Sequence, residues 1–211
     1  MLPLLSRAWN IPAACFSPRD GQDDQDDQDE PSERIARFTS PLTRILLSSE
    51  GLTTTLLSAL MGEPMRLYRL EQRRVLATEA GTGPVRLLEL AAEEHVLLRR
   101  SVATRPGGIL ASMTHVVTRL DLEPGLAECF TGAAVAMDQA LHAAGTGHRR
   151  TLLAAGCQPW PGGGPQRTAC FKAYRLWHAD QPLALVHELF NPELVPTAAR
   201  GSGPAAASKA A

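Results

Sequence analysis

The chain has 211 residues, 44% of them hydrophobic, and 21 lysines and arginines against 22 aspartates and glutamates give a net charge of −1. This composition excludes fibrous, collagen-like and fully disordered proteins. Charged or polar residues interrupt every apolar stretch before the ~18 residues of a membrane span, so we expect no membrane partner.

The near-neutral total combines two segments of opposite charge. Eight acidic residues lie before position 34, against only Arg7 and Arg19, which leaves residues 34–211 with about +5. The run from Asp20 to Glu30 contains no apolar residue and cannot bury enough surface to offset its ordering entropy. It therefore predicts a solvated leader, for which solubility and intermolecular spacing are both open roles.

Composition also changes near the C terminus. The last residues are rich in Gly, Ser, Ala and Pro without a period, which predicts a flexible tail. We therefore divide the chain into a disordered acidic leader over 1–37, one domain over 38–196 and a flexible tail over 197–211. The roughly 160 residues of the middle segment are enough for one hydrophobic core.

The N terminus, cysteines and histidines bear on location and metal binding. The first apolar segment lacks a basic start and is interrupted by Arg7, so it is no secretory signal and we predict a cytoplasmic protein. Without a CxxC pair, neither a zinc knuckle nor a disulfide scaffold is expected, and the thiols are predicted to be reduced. The histidines form no HxxxH or HExxH motif, so no metal is expected. The cysteines are Cys15, Cys129, Cys157 and Cys170.

The first predicted elements are two short helices within 41–59, separated by the break at 48–51. They resemble a helix-turn-helix lobe. The second helix lacks the basic residues of a recognition helix, so we predict no nucleic-acid contact.

The following elements alternate in an order that predicts a sheet. Strand patterns lie at 65–77, 96–104, 109–119, 149–155, 167–178 and 182–190. Short helices are predicted at 124–130 and 133–144, and loops at 81–84 and 160–165. Little room remains for crossover helices between successive strands. The predicted fold class is therefore α+β, a single antiparallel sheet with helices grouped on it.

The last predicted hairpin places a carboxylate on an apolar face. A two-residue turn at Asp180 and Gln181 would set Glu188 opposite Ala173, with Arg175 diagonal to it. Glu188 is then either a functional group or half of a structural pair with Arg175, and both readings stay open.

Two adjacent arginines on the second strand point to opposite faces of the sheet. Val96, Leu98 and Val102 share the parity of Arg100, so periodicity selects Arg100 as the inward side chain. Arg99 then shares the face of more polar neighbours.

Three separated segments together resemble the chorismate pyruvate-lyase (4-hydroxybenzoate synthase) family. They are RILLSSEGLTTTLL at 44–57, VLLRRSV at 96–102, and YRLWHADQP at 174–182 followed by VHELF at 186–190. Each motif is weak alone, but their order and spacing extend the resemblance over 41–190.

This resemblance implies a fold, an activity and site residues. The fold would be a chorismate lyase-like, about six-stranded antiparallel sheet with helical flaps. The activity would be a cofactor-free carbon–oxygen lyase that eliminates pyruvate from chorismate, or from a related carboxylated ring, leaving a hydroxybenzoate. Arg99 would bind a substrate carboxylate and Glu188 would act as acid or base, which makes these two the catalytic candidates. Leu52 and Met137 would contact the substrate from the flaps, and Arg175 is a further substrate-binding candidate.

Departures from the family pattern keep other functions open. Ala136, Met137 and Asp138 stand where the family has Pro-Leu-Gly, and His187 stands where Thr is common. One alternative is a non-catalytic module that binds small aromatic acids, as do similar effector-binding domains of some bacterial transcription regulators. Another is a repurposed biosynthetic cyclase or lyase. In each case the expected partner is a small anionic molecule, attracted by the net-basic domain, and monomer and dimer are both open.

Overall fold

The computed structural model describes Phe16 and residues 30–132, 137–145, 147–161 and 167–199. The helices are α1 Pro31–Arg37, α2 Pro41–Ser48, α3 Thr53–Met61, α4 Thr82–Leu87, α5 Pro124–Thr131 and α6 Met137–Ala143, with a 3₁₀ helix at Ala77–Ala80. The strands are β1 Arg66–Leu76, β2 His95–Thr104, β3 Leu110–Arg119, β4 His148–Pro159, β5 Thr168–His178 and β6 Gln181–Phe190. Among these residues, no helix is both long enough and apolar enough to cross a membrane.

All six strands form one antiparallel sheet in the order β1-β2-β3-β6-β5-β4. The hairpins β2-β3 and β5-β6 meet through β3 and β6 at the centre, while β1 and β4 are the edges. The predicted α+β class, with one six-stranded antiparallel sheet and helical flaps, is confirmed. The architecture is chorismate lyase-like.

The pairing register defines two faces of the sheet. The front face carries the row Arg99, Val116, Val186 and Tyr174, which are successive partners across four strands. The back face carries the row that contains His115 and His187. Because neighbours in register point the same way, each row extends over the whole sheet.

Two helical lobes cover the front face. In the first lobe, Leu46 of α2 and Leu57 of α3 pack with Phe190. In the second lobe, Phe130 of α5 and Leu141 of α6 belong to a separate apolar cluster. Helix α2 begins where Ser40 Oγ accepts from the Thr43 backbone N–H, with Pro41 in the first turn. The lobes bury the front face at both ends of the sheet and leave its polar residues between them.

The back face is covered by the 3₁₀ helix, by α4 and by Phe16. Leu88 packs with Val75, Leu98 and Leu185, and Phe16 belongs to the same cluster. The segment 77–87 is therefore helical where only a loop at 81–84 was predicted. Valine and leucine side chains of the strands face this segment, so the back face of the sheet is buried as well as the front face. Because both faces are buried, alternation along a strand does not show which face belongs to the core.

The last hairpin differs from its predicted register. The turn lies at Ala179 and Asp180, Ala179 has φ +48°, and the pairing shifts between Leu176 and Trp177. Lys172, not Ala173, therefore lies opposite Glu188. The predicted proximity of Arg175 and Glu188 is wrong, because the shift leaves them on opposite faces.

The described fold extends beyond the predicted domain limits at both ends. Helix α1 lies within the predicted leader and buries Pro31 and Ile35. Phe38 forms a β-bridge with Ala199, and the Thr39 backbone N–H donates to the Ala198 carbonyl. The first residues of the predicted tail are therefore hydrogen-bonded to the segment that follows α1. Residues 1–15, 17–29 and 200–211 lie outside the described part of the chain.

Candidate functional site

Glu188 lies at the centre of a buried polar cluster on the front face. Its side chain is 6% exposed, and its Oε2 accepts from Thr53 Oγ1 at 2.9 Å and lies 3.5 Å from Lys172 Nζ. The Tyr174 hydroxyl donates to Oε1 at 3.3 Å. The carboxylate thus has a cation and two hydroxyl donors around it, which is the arrangement that a buried charge requires.

Lys172 joins this cluster to the first helical lobe. The residue is 1% exposed, and its Nζ donates to the Leu46 and Ser49 carbonyls, each at 3.1 Å. These carbonyls end α2, where a cation is favoured by the helix dipole and by unpaired acceptors. One ammonium group therefore holds Glu188 and the end of α2 together.

A cavity of about 280 Å³ lies beside Lys172, between the sheet and α1–α2. Lys172, Tyr174, Leu152 and Arg150 form its sheet wall, and Ile35, Leu47 and the connection after α2 form its outer wall. This volume suits a ligand of about the size of one substituted ring. Polar groups and apolar surface thus line the same space.

Arg150 is the functional candidate that the sequence reasoning missed. Its guanidinium donates to the Gly51 carbonyl at 2.7 Å and lies 4.9 Å from the centre of the Tyr174 ring. Arg149 lies on the other face, exposed, with its guanidinium 4.4 Å from the Trp177 ring. Only strand alternation at 149–150 could have signalled that one of the two arginines faces the helices.

Arg99 lies on the front face but away from this cavity. It is 8% exposed and donates to the Phe130 and Gly132 carbonyls at 3.1 and 3.2 Å, at the end of α5. Arg100 lies on the back face and forms an ion pair with Glu71 at 3.5 Å. The parity argument for Arg100 as the inward residue is wrong, because each arginine belongs to a largely covered face.

The remaining predicted site residues are dispersed. Leu52 is half-buried immediately before α3, close in sequence to Thr53 of the cluster. Met137 is 7% exposed and packs with Phe130 and Tyr174 in the second lobe's cluster. Arg175 lies on the back face, donates to the Leu87 carbonyl at 3.0 Å and stacks on Trp177.

A second group of polar side chains lies on the back face. His115 and His187 are register partners, and burial lowers the pKa of His115 to about 3 and that of His187 to about 4. His187 stacks on Phe171 at 5.2 Å between ring centres, and its Nε2 lies 3.2 Å from Gln158 Oε1. In the described residues, no group of three or more His, Cys, Asp and Glu side chains is arranged to hold a metal.

The fold is similar to that of several solved structures. PhnF from Mycobacterium smegmatis matches over 74% of this chain and 71% of that chain, with 14% identity and a TM-score of 0.55. The effector domain of PhnF matches over 68% of this chain and 90% of that chain, with 16% identity and a TM-score of 0.51. A GntR-family transcriptional regulator from Bacillus cereus matches over 61% and 92%, with 14% identity and a TM-score of 0.46. No family model and no curated protein matches the sequence.

These comparisons contradict the predicted lyase. They include the effector domain of PhnF and no lyase, so the enzyme, chorismate, pyruvate and biosynthesis assignments are wrong. The three sequence segments that carry the resemblance lie on strands and on the first lobe. Proteins of different function can share these elements on one fold, so the segments indicate the fold and not the activity. The substitution at 136–138 that motivated a repurposed enzyme begins outside the described residues.

Proposed function

We propose that this chain is a small-molecule-binding module whose ligand is a small organic acid with an apolar, ring-sized body. The observation that supports this proposal most directly is the cavity of about 280 Å³, in which Arg150 lies against the Tyr174 ring beside the Lys172–Glu188 pair. The fold similarity to an effector domain supports the same class of function. The proposal keeps the predicted cytoplasmic location and assigns no nucleic-acid contact to the domain.

The charges around the cavity favour an anion. Lys172 lies against Glu188, whereas the guanidinium of Arg150 is partly buried in the cavity wall, donates to the Gly51 carbonyl and lies against the Tyr174 ring. Glu50 also lines the cavity, but it is exposed and its charge is screened by solvent. A guanidinium can bind a carboxylate through two parallel charge-assisted hydrogen bonds, which are stronger than a hydrogen bond to a neutral carbonyl such as that of Gly51.

The apolar walls favour a flat or branched hydrophobic body. Ile35 and Leu47 from the helices face Leu152 and the ring of Tyr174 from the sheet. Such surfaces gain free energy when they exclude water, while the few polar groups set the orientation of the ligand. In this proposal the carboxylate lies at Arg150 and the body lies over Leu152.

Ligand binding in this cavity would also bias the position of the first lobe. Lys172 holds the carbonyls of Leu46 and Ser49, Arg150 holds that of Gly51, and Glu188 accepts from Thr53. The whole connection between α2 and α3 is thus tied to cavity-lining or adjacent side chains. An anion that takes Arg150 from Gly51 releases one of these ties, which is a local contact change of the kind that effector domains use.

The test is a thermal shift measurement with benzoate and 4-hydroxybenzoate as probes and benzamide as the uncharged control. A ligand that binds only the folded state raises Tm with its concentration. We expect both acids to raise Tm and benzamide to raise it much less, because Arg150 discriminates by charge.

The matched variants are Arg150→Gln and Arg149→Gln, neighbours on opposite faces. Arg150→Gln should abolish the shift, whereas Arg149→Gln should keep it. An equal loss in both variants, or an equal response to benzoate and benzamide in the unmodified protein, would contradict the proposed site.

A further inference from the structure

Two of the cysteines are direct neighbours across adjacent strands. Cys157 on β4 and Cys170 on β5 are register partners, with Ala155 and Lys172 as the next pair on the same face. Opposed residues of an antiparallel pair have Cα atoms about 4.5 or 5.5 Å apart, depending on the hydrogen-bonding pattern. Both separations fall within the range of about 4.4–6.8 Å that a disulfide spans.

The two thiols differ in access. Cys157 is exposed on the edge strand, whereas Cys170 is fully buried beneath the first lobe with Leu46 and Leu57. Cys129, the other cysteine among the described residues, lies on α5 in the second lobe's cluster. An external reagent therefore reaches Cys157 first, and Cys170 is the thiol positioned to respond.

We propose that Cys157 and Cys170 form a thiol–disulfide exchange site, with Cys157 as the entry thiol, Cys170 as the resolving thiol and a low-molecular-weight disulfide such as glutathione disulfide as the reactant. This inference is independent of the proposed ligand site. It also differs from the sequence expectation, in which the thiols of a cytoplasmic protein stay reduced.

The exchange balances in two steps. The Cys157 thiolate attacks one sulfur of glutathione disulfide, which forms a mixed disulfide and releases one glutathione thiol. The Cys170 thiolate then attacks Cys157 Sγ, which forms the Cys157–Cys170 bond and releases the second glutathione. The two cysteine thiols are oxidised, the glutathione disulfide is reduced, and the two protons leave with the released thiols.

Burial makes this exchange slow at neutral pH. It raises the pKa of the Cys157 thiol, and burial together with the nearby Cys157 raises the pKa of Cys170 to about 12. Only thiolates react, so the rate of each step increases with pH. The position of Cys170 beside Cys157 offsets part of this loss, since the second step is intramolecular.

The bond would connect the edge strand to the site-bearing strand. Cys170 and Lys172 are alternate residues on the same face of β5, and Cys170 contacts the lobe that Lys172 anchors. Closing a loop of about a dozen residues in the unfolded chain stabilises the folded state, provided that the geometry is unstrained. We therefore expect the oxidised protein to melt several degrees higher than the reduced protein.

The experiment treats the full chain with glutathione disulfide at pH 8.5, quenches it by alkylation and maps the peptides by mass spectrometry without reduction. We expect a Cys157–Cys170 linked peptide, no retained glutathione and a higher Tm. Cys170→Ala should instead trap glutathione on Cys157, and Cys157→Ser should leave Cys170 as a free thiol.

The control variants are Cys129→Ser and Cys15→Ser, both of which should still give the linked peptide. The proposal is overturned if the unmodified protein keeps glutathione on Cys157 while Cys170 is alkylated, or if Cys157 pairs with Cys15. It is also overturned if neither thiol reacts with glutathione disulfide although the alkylating reagent modifies Cys157 completely, which would show that Cys157 was accessible.

Discussion

At the scale of single residues, the decisive contact is the one between Lys172 and Glu188. The sequence singled out Glu188 because a carboxylate on an apolar face needs a partner, and that argument is sound. It assigned the wrong partner, because the hairpin register decides whether residue 172 or 175 lies beside position 188. Parity cannot detect a register shift that lies several residues away.

Lys172→Met should destabilise the protein by about 3–5 kcal/mol, since it leaves a buried carboxylate without its cation. Urea unfolding at pH 7 measures this loss. The double variant Lys172→Met/Glu188→Gln should recover a substantial part of it, because no uncompensated charge remains. A loss in the double variant equal to the sum of the losses in Lys172→Met and Glu188→Gln would show that the two side chains are not coupled.

The buried histidines predict a pH dependence of stability. His187 has its pKa lowered by burial from 6.5 to about 4, so the unfolded state binds a proton before the folded state does. The contribution of neutral His187 to the free energy of unfolding is fully present above about pH 6.5 and is lost as the pH falls towards 4. The total loss for this residue is about 3 kcal/mol.

The measurement is urea unfolding at pH 7 and pH 5. His187→Gln should lose less stability over this interval than the unmodified protein. His142→Gln, on the exposed part of α6, should behave as the unmodified protein. A pH dependence that His187→Gln leaves unchanged would exclude this residue as its source.

At the scale of elements, turns and irregularities account for most differences from the sequence expectation. Helix ends, the β2-β3 turn and the order of the strands follow from Pro and Gly positions and from periodicity, and the observed elements contain most of the predicted ones. Four pairings carry register shifts that no local pattern signals, in β1-β2, β2-β3, β4-β5 and β5-β6. These shifts decide which side chains meet.

The β5-β6 turn offers a direct check. Ala179 has φ +48°, a backbone conformation that is unfavourable for a residue with a Cβ and accessible to glycine. Ala179→Gly should therefore stabilise the protein by about 0.5–1 kcal/mol in urea unfolding. Ala127→Gly, inside α5, should destabilise it by about 1 kcal/mol, since glycine has more backbone entropy to lose when the helix forms. Destabilisation by both changes would argue against the left-handed turn.

At the scale of the whole molecule, the leader is connected to the back of the sheet. Phe16 is 5% exposed, and its ring centre lies 6.5 Å from that of His115 and 6.3 Å from that of His187. A Cβ added at Gly83 would overlap the Phe16 carbonyl oxygen, so the approach requires glycine there. That the acidic run forms no core stays a prediction, since most of the run lies outside the described residues, but Phe16, which precedes it in the sequence, packs into the core of the domain.

Phe16→Ala should destabilise the protein by about 3 kcal/mol, and Phe16→Leu by clearly less, because a cavity forms in proportion to the volume removed. Gly83→Ala should destabilise as well, and combining it with Phe16→Ala should be less than additive, since both changes displace the same residue. Chemical unfolding gives these values. No effect of Phe16→Ala would mean that the ring contributes nothing to the back face.

By itself the sequence determined the class of fold, because turn residues, strand alternation and short connections leave few ways to build one antiparallel sheet. It also identified Glu188 as a buried charge that needs a partner. Only the tertiary structure decided that the partner is Lys172, that Arg150 lines the cavity and that Cys157 meets Cys170. These contacts depend on register and on helices packed from distant parts of the chain, which are set by the sum of many weak apolar contacts and leave no local signal.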